Sequence, residues 1–195
     1  MLKTDYIRIV DMKKRLRDAL PEERYNHTIS TLEKAMELSI GTNANFLSVY
    51  YAALLHDVGK YRDPFEFEDF DGFDYYDYPQ IIHAPLGAHI AQKEYGIDDE
   101  RILDAIRYHT TGRNGMTIEE KIVFISDAIE ETRNYPGVEI VREAVKEGLN
   151  EAIFEYYKLL INSISAKGGK IHPLSMEAYA SLIAKRGIYV ESRFK

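Results

Sequence analysis

A histidine and an aspartate stand side by side at the end of an apolar stretch, and this pair is where the sequence first points to chemistry. Six uncharged, mostly apolar residues at positions 50–55 lead directly into His56 and Asp57. A buried segment seldom carries a carboxylate unless some group pairs with it. A bound metal ion is the simplest such partner, although an isolated His-Asp pair more often marks only the end of a helix.

The pair is accompanied by further histidines and by a second isolated aspartate. His27 lies upstream of it, His83 and His109 lie downstream, and Asp127 interrupts another apolar segment at positions 124–129. These additional residues favour a metal site over a pair that only marks the end of a helix, because several potential ligands occur on segments that are predicted to be buried.

Two imidazoles and two carboxylates are the protein's share of ligands for one divalent ion, with positions left for water or substrate. The set that the sequence offers is His27, His56, Asp57 and Asp127. An ion held there would lower the pKa of a bound water toward neutrality and supply hydroxide for attack on phosphorus. His83 and His109 could bind a second ion or contact phosphate directly, and spacing alone leaves both possibilities open.

Three cations lie near these proposed ligands. In phosphoryl transfer the protein mainly positions the reacting groups and supplies positive charge around the phosphoryl oxygens. Arg24, Lys60 and Arg133 each lie within about two helical turns of a proposed ligand. Each alone would be an ordinary surface charge, but together they predict a basic pocket.

That pocket would belong to an acidic protein. The chain has 195 residues, 25 Lys and Arg against 32 Asp and Glu, a net charge of −7, and no cysteine. A charge of this sign disfavours binding to nucleic acid. Without thiolates a metal must be held by imidazole, carboxylate and water, which suits iron, manganese, zinc or magnesium. No apolar run approaches the ~20 residues of a membrane span, and the N-terminus lacks the pattern of a signal peptide. We therefore expect a soluble cytoplasmic protein without a membrane segment.

Apolar residues recur every three or four positions, and no stretch alternates for long enough to predict a sheet. The sequence therefore predicts an all-α fold in a single domain over 1–195. A capping box formed by Thr117 and Glu120 opens one helix, and Gly59 is predicted to end another. The approximate bounds of the predicted helices are 5–20, 21–40, 45–58, 85–95, 98–109, 117–129, 138–148, 150–167 and 175–185.

Five individual placements follow from these helices. Tyr6, Ile40 and Phe46 continue the apolar stripes of their helices and are predicted to face the core. Asp98 and Ser175 precede apolar periodic stretches and are predicted to cap the helices that follow them.

Residues 63–80, which we call the acidic aromatic segment, differ from the rest of the chain. Acidic and aromatic side chains alternate there, and no Lys or Arg occurs between Arg62 and Lys93. Pro64, Gly72 and Pro79 predict a loop or short turns, with rings that need a surface to cover. The segment could be a solvated connection, a lid over the site or a dimer contact. Because its acids would repel phosphate, we expect them to point away from the site.

Several motifs resemble one known family. The order His, His-Asp, His, His, Asp resembles the HD superfamily of metal-dependent phosphohydrolases. Beyond this order, the chain is similar to the YqeK family over about residues 24–175. The similarity is carried by Leu-Leu-His-Asp-Val-Gly-Lys at 54–60, Tyr-His-Thr-Thr-Gly at 108–112, Ser-Asp-Ala-Ile-Glu at 126–130, Arg-Asn-Tyr-Pro-Gly-Val at 133–138 and Ile-His-Pro at 171–173.

The resemblance implies a fold, a reaction and a site. Family members are HD-domain hydrolases that use iron and cleave diadenosine tetraphosphate symmetrically into two ADP. The metal-binding core would span about residues 20–135, and helices in 138–195 would complete the nucleotide pocket. The iron ligands implied are His27, His56, Asp57 and Asp127. The catalytic residues implied are Asp57, Lys60, His83, His109 and Asp127. The nucleotide contacts implied are Arg24, Asp57, Lys60, His83, His109, Thr110, Asp127, Arg133, Lys170, Ile171, His172, Pro173, Leu174 and Ser175.

The sequence departs from the family pattern in three places. Glu131 stands where proline is usual, Ser175 stands where threonine is usual, and the acidic aromatic segment is unlike its counterpart. None of these departures removes a ligand. Other functions that the same residues could serve are a phosphatase or phosphodiesterase acting on other nucleotides, a di-iron oxygenase and a nucleotide sensor without catalysis. One ion or two, and a monomer or a homodimer, are compatible with the sequence.

Overall fold

The computed structural model describes residues 3–193, with side chains in 6–186, and it confirms the predicted all-α class. Within these residues there are nine α-helices, three short 3-10 helices and no strand. The α-helices are α1 (Lys3–Ala19), α2 (Glu22–Ser39), α3 (Phe46–Leu55), α4 (His83–Tyr95), α5 (Glu100–Arg107), α6 (Ile118–Ile129), α7 (Val138–Ala144), α8 (Leu149–Ala166) and α9 (Pro173–Arg193). No helix in the described part combines the length and the apolar character needed to cross a bilayer.

The predicted capping box opens α6. The Thr117 hydroxyl accepts a hydrogen bond from the Glu120 N–H at 3.3 Å, and the Glu120 carboxylate accepts one from the Thr117 N–H at 3.2 Å. Two backbone donors that the helix cannot satisfy itself are thereby paired. This fixes the start of the helix that carries Asp127.

We predict that Thr117→Ala lowers the free energy of unfolding by about 1 kcal/mol, because the Glu120 N–H loses its acceptor. Urea unfolding monitored by circular dichroism measures this loss as a lower midpoint, and the m-value should stay unchanged. Thr117→Ser is the control, since it keeps the hydroxyl and should unfold close to the wild-type midpoint. Equal destabilisation by both substitutions would contradict the role of the cap.

Two predicted caps are wrong. Asp99, not Asp98, caps α5, because its carboxylate accepts from the Arg101 N–H at 3.0 Å. The last helix already begins at Pro173, so Ser175 lies inside it and does not cap it. The Ser175 hydroxyl instead donates to the Thr111 carbonyl at 3.0 Å, which ties α9 to the end of α5.

Helix α6 joins two groups of buried apolar side chains. Its Ile122 and Val123 pack with residues of α1 to α5, whereas Phe124 and Ile125 pack with residues of α7 to α9. The C-terminal helices therefore share their core with the N-terminal ones through α6. This packing holds the Asp127 backbone between the two halves of the core.

Three residues predicted to face the core are exposed. Tyr6, Ile40 and Phe46 are 58%, 74% and 46% exposed. Ile40 follows the end of α2 with an extended backbone, so it no longer continues the helical stripe. Phe46 is the first residue of α3, and the burial of that helix begins only at Ser48.

The acidic aromatic segment forms short turns, as predicted. Two 3-10 helices, Pro64–Glu66 and Phe73–Tyr75, interrupt an otherwise irregular path. The buried Tyr75 ring stacks on His172 with 4.7 Å between ring centroids. Among the described residues, the acids of this segment form ion pairs with Arg62, His89, Lys93 and Lys170. The expectation that the acids point away from the site fits Glu66 and Asp69, but it does not fit Asp77, which pairs with Lys170, nor Asp71 and Asp74, which line a cleft beside His172.

Candidate metal centre and its clefts

Five elements bring the predicted ligands together. His27 lies on α2, His56 and Asp57 follow the end of α3, His83 is the first residue of α4, His109 follows α5, and Asp127 lies on α6. Each of the six has a nitrogen or oxygen atom within 4.0 Å of a carboxylate or imidazole of another. The predicted convergence of residues that are distant in sequence is therefore present in the structure.

Asp57 lies at the middle of this cluster. Its Oδ2 is 3.4 Å from His56 Nε2 and 3.8 Å from His27 Nε2. Its Oδ1 is 3.2 Å from His83 Nε2 and 3.7 Å from His109 Nε2. One carboxylate thus faces two pairs of imidazoles, one pair with each oxygen.

Asp127 completes the side formed by His27 and His56. Its Oδ1 is 2.9 Å from His27 Nε2 and 3.8 Å from His56 Nε2. Three overlapping groups have donor atoms within 4.8 Å of one another, a spacing suited to a metal ion: His27, His56 and Asp57; His56, His109 and Asp127; Asp57, His83 and His109.

Helix α3 ends at Leu55, three residues earlier than predicted, and this early end shapes the cluster. The chain continues in turns with i to i+3 hydrogen bonds, such as Val58 N–H to the Leu55 carbonyl and Lys60 N–H to the Asp57 carbonyl. In a regular α-helix adjacent side chains diverge by about 100°. Here the tighter turn brings the side chains of His56 and Asp57 to the same cluster.

Gly59 allows this turn to lie directly against α4. A Cβ atom at this position would be 2.6 Å from the His83 carbonyl oxygen and 2.8 Å from the Gly87 nitrogen, both closer than real contacts. Any other residue would separate the turn from α4. The glycine therefore serves a close backbone approach that keeps His83 beside Asp57, and it does not end the helix as predicted.

The imidazoles are oriented by their other ring nitrogens. His56 Nδ1 and His109 Nδ1 each lie 2.8 Å from a backbone carbonyl oxygen, of Ala53 and Ile106. A carbonyl only accepts, so Nδ1 carries the proton and Nε2 is left with a lone pair. His56 Nε2 is buried and has no hydrogen-bond partner among the described residues. A buried lone pair that faces carboxylates fits a metal ion.

Glu130 orients His27 in the same way. Its Oε1 accepts from His27 Nδ1 at 3.0 Å, and the Thr132 N–H and hydroxyl each donate to the same carboxylate at 2.6 Å. Carboxylates commonly hold metal-binding histidines in this manner. The sequence analysis assigned Glu130 no role, although this fully buried acid follows the same apolar run as Asp127.

The groups of the cluster shift one another's pKa. Burial alone would raise the pKa of Asp57, but the His56 charge and the neighbouring imidazoles of His109 and His83 lower it well below its usual value. Burial lowers the pKa of His56, but the charges of Asp57 and Asp127 and the Ala53 carbonyl together outweigh burial and raise it. A divalent cation would replace the proton on His56 Nε2, so metal binding and protonation compete here. Burial lowers the pKa of His83 to about 4, which keeps its ring neutral near pH 7.

The three predicted cations border the cluster. Arg24 donates to Asp57 Oδ2 at 2.8 Å, and Arg133 donates to Asp127 Oδ1. Lys60 Nζ lies 3.3 Å from His83 Nδ1, and burial lowers the pKa of its ammonium group. A basic rim therefore surrounds a cluster of acids and imidazoles inside an acidic protein.

The structure has two open clefts that share no lining residue, and the second is lined by Lys60 and His83 of the cluster and its rim. The first cleft, of about 670 Å³, is lined in part by Tyr75, Tyr78, Tyr108, His172 and Leu174. The second cleft, of about 650 Å³, is lined by Gly59, Lys60, Arg62, Pro64, Phe65, Tyr76, Pro79, Gln80, Ile82 and His83. The acidic aromatic segment contributes to both clefts and forms the wall between them.

The predicted nucleotide-binding segment 170–175 borders the first cleft. Tyr75 and Tyr78 both contact the His172 ring, each with 4.7 Å between centroids, and Pro173 and Leu174 line the cleft. Lys170 is exposed, 3.9 Å from Asp77, and Ile171 is half-buried. Ser175 connects the segment to Thr111.

Thr110, the other predicted contact in this region, directly follows His109. Its buried hydroxyl has no hydrogen-bond partner among the described residues. A hydroxyl left unpaired next to the cluster is available to a ligand oxygen.

An all-helical frame that gathers His, His-Asp, His, His and Asp around one centre defines the class of HD-domain proteins. The HD domain family model matches residues 24–132. A symmetrical bis(5'-nucleosyl)-tetraphosphatase of Halalkalibacterium halodurans is 39% identical over 173 residues, which cover 86% of this chain and 92% of the relative. One of Bacillus subtilis is 35% identical over 175 residues, covering 87% and 94%. The chain belongs to this family of HD-domain proteins.

A solved structure has the same fold. It is the crystal structure, from Clostridium acetobutylicum, of a protein described as a predicted HD superfamily hydrolase involved in NAD metabolism. It is 32% identical to this chain, superposes with a TM-score of 0.84, and the match covers 95% of this chain and 99% of that one. The resemblance that the motifs indicated is thereby confirmed.

Proposed function

We propose that this protein hydrolyses diadenosine tetraphosphate symmetrically, so that one water and one substrate give two ADP. The observation that carries the proposal is the cluster around Asp57, where four imidazoles and a second carboxylate meet beneath three cations. The names of relatives that are 35–40% identical over most of their length support it.

We further propose that His27, His56, Asp57 and Asp127 hold the metal ion. Their donor atoms are nitrogen and oxygen only, which suits iron, and the family resemblance supports iron over other divalent ions. When bound, such an ion supplies a Lewis acid that generates hydroxide near neutral pH and offsets charge on a phosphoryl oxygen.

The chain's own groups would bind and orient the polyphosphate. Arg24, Lys60 and Arg133 would donate to phosphoryl oxygens, where negative charge grows during transfer. Among these three, Lys60 forms no ion pair within 4.0 Å in the part of the chain that the structure describes, so its charge is available. His83 and His109 would contact the reacting phosphate or its leaving oxygen.

The first cleft would hold one nucleoside half of the substrate. His172 already packs against Tyr75 and Tyr78, so a nucleobase in this cleft meets an aromatic wall. The segment 170–175 would supply backbone contacts, and the Thr110 hydroxyl would bind a phosphate oxygen. In this arrangement the helices after residue 138 complete a pocket whose metal side comes from residues 20–135.

The group of Asp57, His83 and His109 could hold a second ion, and this favours one alternative function. Two adjacent ions would also suit a di-iron oxygenase. Metal analysis of the purified protein distinguishes the hydrolase from the oxygenase, since fewer than two irons per chain excludes the oxygenase. Two irons together with oxygen consumption that depends on an organic substrate would support it instead.

Product analysis tests the main proposal. The iron-loaded protein is incubated with diadenosine tetraphosphate, and the nucleotides are separated by ion-exchange chromatography. Two ADP per substrate, and no turnover after chelation of the metal, are the expected results. ATP with AMP, or no cleavage with any divalent metal, would contradict the proposal, and tight ADP binding without turnover would indicate a sensor. We propose the cytoplasm as the site of action, in line with the expectation from the sequence.

A further inference from the structure

A dinucleoside substrate has two nucleosides, and the proposed function places only one of them. The second cleft lies on the other side of the acidic aromatic segment and reaches the cluster through Lys60 and His83. None of the residues that line it is acidic, whereas Asp71 and Asp74 line the first cleft. Phosphate groups that enter the second cleft are therefore not repelled by a carboxylate among its lining residues.

A pair of stacked rings forms part of this cleft. The rings of Phe65 and Tyr76 are 5.6 Å apart between centroids and lie within 3° of parallel. Phe65 is 77% exposed and Tyr76 is 42% exposed, which is a large aromatic surface to leave in water. A planar base stacks readily on such a surface, and base stacking on aromatic rings tolerates any base.

The same cleft is lined by cations and by rings. Lys60 and His83 adjoin Asp57 of the cluster, and Phe65 and Tyr76 belong to the acidic aromatic segment. Arg62 also lines the cleft, although its guanidinium is bound to Glu66 and Glu94 at 3.0 Å each. A cleft that offers both positive charge and an aromatic surface suits a phosphate chain that ends in a nucleoside.

We propose that the second cleft binds the second nucleoside of a dinucleoside polyphosphate, with its base stacked on Phe65 and Tyr76 and its phosphates directed toward Lys60. This inference rests on the proposed function. It assigns the acidic aromatic segment a role in substrate selection, because the segment walls both clefts and would separate the two halves of the substrate.

Adenosine tetraphosphate is the discriminating probe, since it carries the same phosphates but lacks the second adenosine. Its symmetrical cleavage by water gives ADP and pyrophosphate. We expect the wild-type protein to favour diadenosine tetraphosphate over this probe about tenfold in kcat/KM, the effect of stacking one base. Phe65→Ala should remove that preference, by lowering kcat/KM for diadenosine tetraphosphate about tenfold more than kcat/KM for the probe. Phe65→Tyr should retain it.

The matched control is Phe73→Ala. Phe73 belongs to the same segment and is 81% exposed, but it lines neither cleft, so its removal should leave the preference intact. An unchanged preference in Phe65→Ala would overturn the inference, and so would a wild-type protein that does not distinguish the two compounds.

Calorimetric affinities of both compounds for the metal-free protein give a second measure that does not require turnover. The same tenfold ratio, lost in Phe65→Ala, is expected. If the wild-type protein cleaves neither compound, the proposed function fails, while the ratio of affinities still decides whether the second cleft binds a nucleoside. Equal affinities for the two compounds would count against the cleft.

Discussion

Asp57→Asn is expected to lower kcat/KM for diadenosine tetraphosphate by more than about a hundredfold and to remove most of the bound metal. Even residues that only support a ligand cost about 10–100-fold when they are changed, and Asp57 would be a ligand itself. The amide keeps the size of the side chain but loses the negative charge that faces His27, His56, His83 and His109. Arg24 also loses its carboxylate partner.

Metal content by mass spectrometry and steady-state kinetics at saturating metal are the measurements. Asp98→Asn is the matched control, because Asp98 is exposed and the same change of charge there should affect neither quantity. Circular dichroism establishes that both variants are folded. A variant that keeps full metal occupancy and full activity would remove Asp57 from the site, and with it the central assumption of the mechanism.

The fold class could be predicted because the sequence signals that specify helices are local. The capping box at Thr117 and the apolar periodicity that predicts a helix at 98–109 each depend on neighbours within about one turn. The helices α6 and α5 are found there, and the buried His109 follows the end of α5. The pairing of distant helices is not local, so the convergence of His27 with Asp127 was predicted only from the ligand types and from the family resemblance.

Errors occurred where a buried face is not apolar. Helix α2 buries the apolar Leu32, as its periodicity predicts, but it also buries the polar residues His27, Thr28 and Thr31. His27 contacts Asp127 and Glu130, so part of this buried face is polar. Hydrophobic periodicity therefore finds only the apolar part of a buried face where a polar site replaces part of the core.

Glu130 was overlooked for a related reason. It follows the same apolar run that marks Asp127 as a candidate ligand, three residues further on, but no role was predicted for it. What identifies Glu130 is its contact with His27, which lies 103 residues away in the chain. An acid that orients a metal ligand can lie at any separation in sequence from that ligand, so no sequence motif identifies it.

Glu130→Gln is therefore expected to weaken metal binding about 10–100-fold while the fold is retained. The carboxylate accepts the proton of His27 Nδ1, which leaves the lone pair of Nε2 free to face the cluster. A glutamine amide can present its NH₂ group to Nδ1, and the imidazole then carries its proton on Nε2, the atom proposed to bind the ion. The loss should appear in metal affinity, and saturating metal should restore most of kcat, because Glu130 positions a ligand and does not touch substrate.

Competition with a chelator of known affinity measures the change in metal affinity. Glu131→Gln is the control, since Glu131 is 81% exposed and pairs with Lys34, away from His27. If both variants bind metal as tightly as the wild-type protein, the tautomer of His27 is not set by Glu130, and the orientation of the cluster must come from its backbone carbonyl partners alone.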